Sequence, residues 1–253
     1  MYDAIILAGG ESKHLGQYSQ QRYEAMIEIA GRPMVTFVAQ ALRASGKVDR
    51  IFIVGPSAVM ASCDFPDNTI LLDGGRTIME TIQIGMQVLD HQQPVLVVTA
   101  DIPLLTPEAV VDFVTQCGQA KAADLYYPVV NRQVNELYYP GNKRTYVKLK
   151  EGVFTGGNIF LVNPVIVPRC LRVAEQIIAE RKNPLKLCRI IGWGFVLKFL
   201  CRMLGVREVE QQFSDLLDIR GTVIFSGYPE LGIDVDKPSD LELVKSAFAV
   251  KSI

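Results

Sequence analysis

Residues 4–16 read AIILAGGESKHLG, a short apolar run followed by two glycines and a polar loop. An apolar run of this length without polar alternation predicts a strand buried on both faces of a parallel sheet. Two adjacent glycines let the backbone turn sharply and approach a ligand, and successive N–H groups can bind phosphate. The stretch therefore predicts a first strand that ends in a phosphate-binding loop, with a plain strand-to-helix turn as the alternative.

Two familiar phosphate-binding loops are excluded here. A Walker A loop requires Lys after its last glycine, but Gln17 follows Gly16, and the GxGxxG spacing of dinucleotide loops is absent.

Apolar periodicity beyond this loop alternates between strand and helix. Strands are predicted at 50–55, 69–73 and 94–100, and helices at 34–45, 76–89 and 106–117. Such alternation predicts βαβ units in a mostly parallel sheet with helices on both sides. The helix at 76–89 is expected to bury Ile78, Ile82, Gly85 and Leu89, and Thr106 is expected to cap the next one.

The alternation of predicted strands and helices becomes irregular after residue 118. Strands are predicted at 124–130, 156–162 and 222–226, a helix at 164–181, and an unbroken helical stretch over 184–217. Ser239 and Glu242 are predicted to form a capping box that opens the last helix.

Composition excludes several classes of protein. The chain has 253 residues and a net charge of -1, which argues against a nucleic-acid partner. Its five cysteines are scattered and it has two histidines, so a zinc site is disfavoured and a cytoplasmic location is expected. The longest apolar stretch, 190–206, is interrupted by Lys198 and Arg202, and it is shorter than the ~20 residues of a membrane span.

Acidic residues follow two predicted core segments. Asp101 comes directly after the strand at 94–100, and Asp234 and Asp236 precede the last helix. A carboxylate at the end of a buried strand suits a hard cation such as Mg²⁺. Because Asp234 and Asp236 alternate along an extended segment, only one of them is expected to reach the cation.

Five motifs, in this order along the chain, resemble those of the MobA-like NTP transferases. They are IILAGG (5–10), IEIAGRPMV (27–35), TADIPLLTPE (99–108), GGNIFL (156–161) and DVDKPSDLEL (234–243). The resemblance implies an α/β fold of the nucleotide-diphospho-sugar transferase type, with a Rossmann-like sheet and here a helical insertion. It also implies a nucleotidyltransferase that joins an NTP to a small phosphorylated acceptor, releases pyrophosphate and uses Mg²⁺.

The resemblance also assigns roles by position. The triphosphate would lie on the loop from Ala8 to Gly16, and Asp101 and Asp236 would hold Mg²⁺. Gly157 and Asn158 would line the acceptor side. The nucleotide-binding residues implied are Leu7, Ala8, Gly9, Gly10, Gly75, Arg76, Thr81 and Ala100.

Two positions depart from the family pattern. His14 stands where the family usually has Arg, and Glu24 stands where it usually has a phosphate-binding Lys. Lys13 and Arg22 are the candidate replacements that would act in catalysis with Asp101, and Glu24 is then expected to turn outward. These departures keep two alternatives open: a nucleotide-binding protein without transferase activity, and a glycosyltransferase that uses a nucleotide-sugar.

Residues 1–253 are interpreted as one domain. Its parts would be a nucleotide-binding half (1–120), an acceptor-side half (121–183), a helical insertion (184–217) and a final strand and helix (218–253). The insertion would cover the active site or form a homodimer surface, with a helix lying on a membrane as the less favoured alternative. A basic stretch at 139–152, which includes Arg144, would either bind the acceptor phosphate or form a solvated loop.

Overall fold

The computed structural model describes residues 1–12, 15, 21–90, 93–180 and 184–251. The strands of the main sheet are β1 (Tyr2–Leu7), β4 (Val48–Gly55), β5 (Thr69–Asp73), β6 (Val95–Thr99), β7 (Leu125–Asn131), β8 (Val147–Leu149), β9 (Gly152–Gly156), β10 (Ile159–Val162) and β11 (Gly221–Ser226). A separate small hairpin consists of β2 (Glu28–Ile29) and β3 (Arg32–Pro33).

Helices fill most of the connections between these strands. They are α1 (Met34–Ala44), α2 (Ser57–Met60), α3 (Ile78–Gln87), α4 (Pro107–Gln119), α5 (Arg132–Tyr138), α6 (Val167–Glu180), α7 (Pro184–Ile191), α8 (Trp193–Leu200), α9 (Val206–Leu217) and α10 (Pro238–Lys251).

The main sheet has the strand order β5-β4-β1-β6-β10-β7-β9-β8, and β11 pairs with β7. The first four strands of this order are parallel to one another. Only β9 and β10 run against the remaining seven strands, since β10 is antiparallel to both β6 and β7, and β9 to both β7 and β8. The predicted mostly parallel α/β sheet flanked by helices is confirmed.

The first strand is buried on both faces because helices cover both sides of the sheet. Ala4 and Ile6 pack in a core with α1 and α4, while Ile5 packs on the opposite face against α3. Adjacent side chains of a strand point to opposite faces, so a strand in this position must be apolar throughout. This explains why AIILA shows no polar alternation.

Three local predictions are wrong. The predicted burial of Ile78 is wrong, since this residue is 47% exposed. Gly85 and, just beyond α3, Leu89 are buried as predicted, and α3 also buries Thr81 and Met86. The predicted unbroken helix over 184–217 is interrupted at Gly192, whose φ is 101°, and again between α8 and α9. Helix α10 begins at Pro238, so Ser239 lies inside its first turn and is not the cap.

Another side chain satisfies the start of α10. Asp240 accepts hydrogen bonds from the backbone N–H groups of Asp236 and Lys237 at 3.2 and 3.0 Å. None of the helices in the described ranges combines the length and apolar character needed to cross a membrane.

Candidate active site

A cleft of about 240 Å³ lies where β1 and β6 end and α3 begins. Leu7 and Thr99 are register partners at the carboxyl ends of these neighbouring parallel strands, so the loops that follow them meet at one edge of the sheet. The cleft is lined by every residue that the resemblance assigned to the nucleotide: Leu7, Ala8, Gly9, Gly10, Gly75, Arg76, Thr81 and Ala100. Asp101 also lines it. Their role in binding a nucleotide stays a prediction.

The glycine loop passes close to Glu24. The Glu24 N–H donates to the Gly10 carbonyl at 3.0 Å, and a Cβ atom on residue 10 would lie 2.8 Å from Glu24 Oε2. Glycine at position 10 therefore lets the Glu24 carboxylate lie across the loop. Lys13, His14 and Gly16 lie outside the described residues.

A second loop closes the opposite wall of the cleft. Thr77 caps α3 by accepting from the Glu80 N–H, and the Thr81 hydroxyl accepts from the Gly75 N–H at 3.2 Å. A Cβ atom on residue 75 would lie 2.2 Å from the Glu80 Cβ, so only glycine fits there. Exposed Ile78 stands at this wall and offers an apolar surface to a ligand.

Three carboxylates meet beside the cleft. One oxygen each of Asp101, Asp234 and Asp236 lies within 4.8 Å of the other two. The Val235 N–H donates to the Asp101 carbonyl at 3.0 Å and holds the two chain segments together. The expectation that only one of Asp234 and Asp236 could reach this point is wrong, because residues 233–236 form no regular strand and the alternation of side chains does not apply.

The chemistry of this donor set fits a hard divalent cation. Burial, together with the negative charges of Asp234 and Asp236, raises the pKa of Asp101 to about 6, although a hydrogen bond from Thr99 opposes the rise. Burial and the charge of Asp234 likewise raise the pKa of Asp236. Carboxylates held this close repel one another unless a cation lies between them. The sequence left Asp234 and Asp236 as alternatives beside Asp101, and the resemblance chose Asp236; the structure brings both of them together with Asp101.

Glu24 faces the cleft. Burial, with the charges of Asp101, Asp236 and Asp234, raises the pKa of Glu24 to about 7. The expectation that Glu24 turns outward is therefore wrong.

Arg22 is not brought to this site. Its guanidinium pairs with Glu11 at 3.1 Å, its side chain is 74% exposed, and it is absent from the cleft lining. Arg76 is the one cation that lines the cleft among the described residues.

Gly157 and Asn158 lie next to the carboxylates. The Asn158 N–H donates to the Leu231 carbonyl at 2.6 Å, and its own carbonyl accepts from the Thr99 N–H at 3.1 Å. The segment is therefore fixed beside the end of β6, two residues before Asp101. This position agrees with the acceptor side implied by the resemblance, although the role itself stays a prediction.

The basic stretch at 139–152 reaches the site through Arg144. This half-buried guanidinium pairs with Asp234, and its Nε has no hydrogen-bond partner in the described part of the chain. Nearby in the chain, Tyr139 donates to Glu230 at 2.8 Å, which connects this stretch to the turn before Asp234. The positive charge of the stretch made it a candidate binding segment, but the sequence did not show which of its Lys and Arg residues would reach the site.

A family model for the MobA-like NTP transferase domain matches residues 4–186. The chain belongs to this family. The prediction from the five motifs is thereby confirmed, and the match spans the cleft, Asp101 and the Gly157–Asn158 segment.

Relatives of this NTP transferase domain include a 2-C-methyl-D-erythritol 4-phosphate cytidylyltransferase from Rhodococcus jostii, which is 28% identical over 120 residues. That match covers 46% of this chain and 52% of the relative, so the chain spans about half the length of the curated relatives it matches.

Solved structures show the same fold. A hypothetical transferase from Thermus thermophilus is 34% identical, with 95% of this chain and 100% of that one covered and a TM-score of 0.84. The 4-diphosphocytidyl-2C-methyl-D-erythritol synthase from Anaerococcus prevotii is 14% identical, with 98% and 96% covered and a TM-score of 0.56.

Proposed function

We propose that this chain is a nucleotidyltransferase that joins an NTP to a small phosphorylated acceptor and releases pyrophosphate. The observation that carries the proposal is the convergence of the glycine loop and the Asp101, Asp234 and Asp236 carboxylates on one cleft. A loop with free amides suits phosphate groups, and grouped carboxylates suit the divalent cation that accompanies a triphosphate.

In the proposed reaction an oxygen of the acceptor phosphate attacks the α-phosphorus of the NTP. A new oxygen–phosphorus bond forms, the bond from the α-phosphorus to the bridging oxygen of the β-phosphate breaks, and pyrophosphate leaves with that oxygen. Catalysis of such a step depends mainly on alignment and on stabilising negative charge. The loop after β1 would bind the triphosphate, and the Gly157–Asn158 segment would position the acceptor.

Mg²⁺ is the proposed cofactor, and Asp101, Asp234 and Asp236 would hold it. When bound, the ion would neutralise phosphate charge. Arg144 lies at the same group of carboxylates through its pair with Asp234, and it is the proposed contact for the anionic acceptor.

CTP is the first nucleotide to test. The named relatives are cytidylyltransferases whose acceptor is a phosphorylated polyol, which supports CTP and a sugar-like phosphate as substrates here.

One observation favours a second candidate, a protein that binds a nucleotide without transferring it. Glu24 faces the cleft where the resemblance predicts a phosphate-binding Lys, and Arg76 is the one lining cation among the described residues. Loss of a single charge-stabilising donor lowers the rate of such sites by about 10²–10³.

Pyrophosphate release separates these candidates. The assay uses each of the four NTPs with Mg²⁺ and a panel of sugar and polyol phosphates. Release that needs both substrates supports the transferase, nucleotide binding without release supports the second candidate, and binding of an intact nucleotide-sugar without use of NTP supports a glycosyltransferase.

Asp101→Asn is expected to lower turnover by about 10² or more, because it removes one of the three grouped carboxylates. The matched control is Asp49→Asn, which removes the same charge from an exposed position outside the cleft. Equal activity in the two variants would contradict the assignment of Asp101.

A further inference from the structure

Helix α8 presents large apolar side chains to solvent. Trp193, Leu197 and Leu200 are 60, 64 and 70% exposed, and Met203 just beyond α8 is 57% exposed. Trp193, Leu197 and Leu200 are spaced i, i+4 and i+7, so they form one stripe along the helix. We call these three residues the apolar stripe.

The opposite side of α8 is already packed against protein. Phe195 meets the ring of Phe213 in α9 edge to face, with ring centroids 6.3 Å apart. The apolar stripe lies on the side of α8 away from this contact and is largely exposed to solvent. Large apolar side chains that are exposed next to one another mark an interaction site more often than single exposed apolar residues do.

Charge is segregated onto the same segment. Residues 184–207 contain five Lys or Arg and no Asp or Glu, although the whole chain has 26 basic and 27 acidic residues. The rest of the chain thus carries 21 basic against 27 acidic residues, a net charge of -6. Arg189, Arg202 and Arg207 are exposed and make no ion pair within the described ranges.

We propose that α7 and α8 bind the surface of an anionic lipid bilayer, with the apolar stripe entering the headgroup boundary. An apolar stripe that includes a tryptophan and has exposed basic residues beside it is the pattern of helices that lie in a membrane interface. Anionic headgroups complement the unpaired arginines.

A second copy of the chain is a poorer occupant of this face. A two-fold interface places the same patch on itself, so the exposed Arg189, Arg202 and Arg207 of the two copies would lie close to one another. Like charges in apposition disfavour such an interface.

The surface is anchored to the body of the protein. The Lys150 N–H donates to the Leu204 carbonyl at 2.9 Å, and the Glu151 carboxylate accepts from the Val206 N–H at 3.0 Å. Lys198 and Lys150 both pair with Glu208. These contacts join the segment to the hairpin of β8 and β9, so membrane contact through the stripe would hold the whole protein at the bilayer.

Trp193 is the single tryptophan of the chain, so its fluorescence reports on the stripe without any substitution. The purified protein is mixed with vesicles of phosphatidylcholine alone, or of phosphatidylcholine with phosphatidylglycerol. The proposal expects a blue shift of emission and quenching by brominated lipid with the anionic vesicles, both weakened by salt. An unchanged spectrum with the anionic vesicles would overturn it.

Vesicle sedimentation of variants tests the two parts of the surface. Replacement of the three stripe residues by Ser is expected to lower partitioning about tenfold or more, and replacement of Arg189, Arg202 and Arg207 by Gln is expected to lower binding to anionic vesicles only. The control for the stripe variant is Leu137→Ser, which changes a 77% exposed leucine outside the segment. The control for the arginine variant replaces the exposed Lys121, Arg169 and Lys245 by Gln.

Two further outcomes would overturn the proposal. One is that the stripe variant binds anionic vesicles as well as the wild type does. The other is that light scattering shows a wild-type dimer, that the stripe substitutions dissociate this dimer, and that the wild type does not bind vesicles. Nucleotide turnover enters none of these measurements, so they stand or fall separately from the proposed reaction.

Discussion

At the scale of single residues, Glu24 places a carboxyl group in the cleft. Its carboxylate lies across Gly10 and lies near enough to Asp101, Asp234 and Asp236 for all three to raise its pKa. Because the pKa of Glu24 is about 7, its carboxyl is mostly ionised only above that pH. There a triphosphate entering the cleft would meet a negative charge where part of the surrounding water is excluded.

Glu24→Lys is expected to tighten NTP binding about tenfold, or about 1.4 kcal/mol, because it exchanges a negative for a positive charge in the cleft. Arg22→Ala should leave the affinity unchanged, since Arg22 pairs with Glu11 on the surface. Calorimetry at fixed Mg²⁺ measures both, with the exposed Glu28→Lys as the control. A large loss from Arg22→Ala with no gain from Glu24→Lys would reverse this interpretation.

At the scale of elements, α3 approaches the sheet closely because Gly85 has no side chain. A Cβ atom there would lie 2.9 Å from the Ile5 Cδ1 and 3.2 Å from a Val54 methyl group. The same helix contributes Ile78 and Thr81 to the wall of the cleft.

Gly85→Ala is expected to destabilise the protein by about 1–3 kcal/mol through overpacking. The matched control is Gly118→Ala in α4, where nothing lies within 4 Å of the added Cβ. That change should stabilise the protein by up to about 1 kcal/mol, since Ala favours a helix over Gly. Urea unfolding measures both, and the same sign for the two variants would contradict the packing argument.

The start of β7 is joined to the start of β11 by Asp124 and Arg220. Backbone and guanidinium N–H groups of Arg220 donate to the Asp124 carboxylate at 3.0–3.1 Å. These hydrogen bonds, chiefly those from the Arg220 side chain, lower the pKa of Asp124 to about 2 from its ordinary 3.8.

A carboxyl with a lowered pKa in the folded state contributes stability that is present above pH 4 and is lost as the pH falls towards 2. Wild type should therefore exceed Asp124→Asn in its urea midpoint at pH 7, and the difference should shrink below pH 3. Asp64→Asn, at an exposed position, should show no such difference at either pH. A gap that persists unchanged at low pH would show that the carboxylate charge is not involved.

At the scale of the whole molecule, the site joins distant parts of the chain. Asp101 follows β6, whereas Asp234 and Asp236 precede α10, and the Val235–Asp101 hydrogen bond connects them. A cation held by all three would therefore stabilise the entire fold and not one half of it.

Mg²⁺ with CTP is expected to raise the thermal midpoint in a single transition. The gain is about 2.7 kcal/mol when free ligand reaches 100 times its Kd. Scanning fluorimetry with each NTP, with Mg²⁺ or with EDTA, measures the shift, and Asp101→Asn should abolish the part that depends on Mg²⁺. Two separate transitions, or a shift unaffected by Asp101→Asn, would contradict a shared site.

The sequence by itself determined the first strand, its glycine loop, the Thr106 cap and the position of Asp101 at the end of β6. These features depend on local periodicity and on residues close together in the chain, so they can be read without tertiary contacts. The resemblance added Gly75, Arg76 and Thr81, which the structure brings to the same cleft.

Only the tertiary structure decided the orientation of Glu24, the meeting of Asp234 with Asp101, and the exposure of the apolar stripe on α8. Glu24 turns inward because the chain beside it bonds back to Gly10, and Asp234 reaches Asp101 because residues 233–236 leave the regular strand geometry. The stripe is exposed because α8 contacts the rest of the protein through its other side, where Phe195 meets Phe213. Each outcome depends on contacts between segments distant in sequence, and such contacts cannot be predicted from local helix or strand propensity.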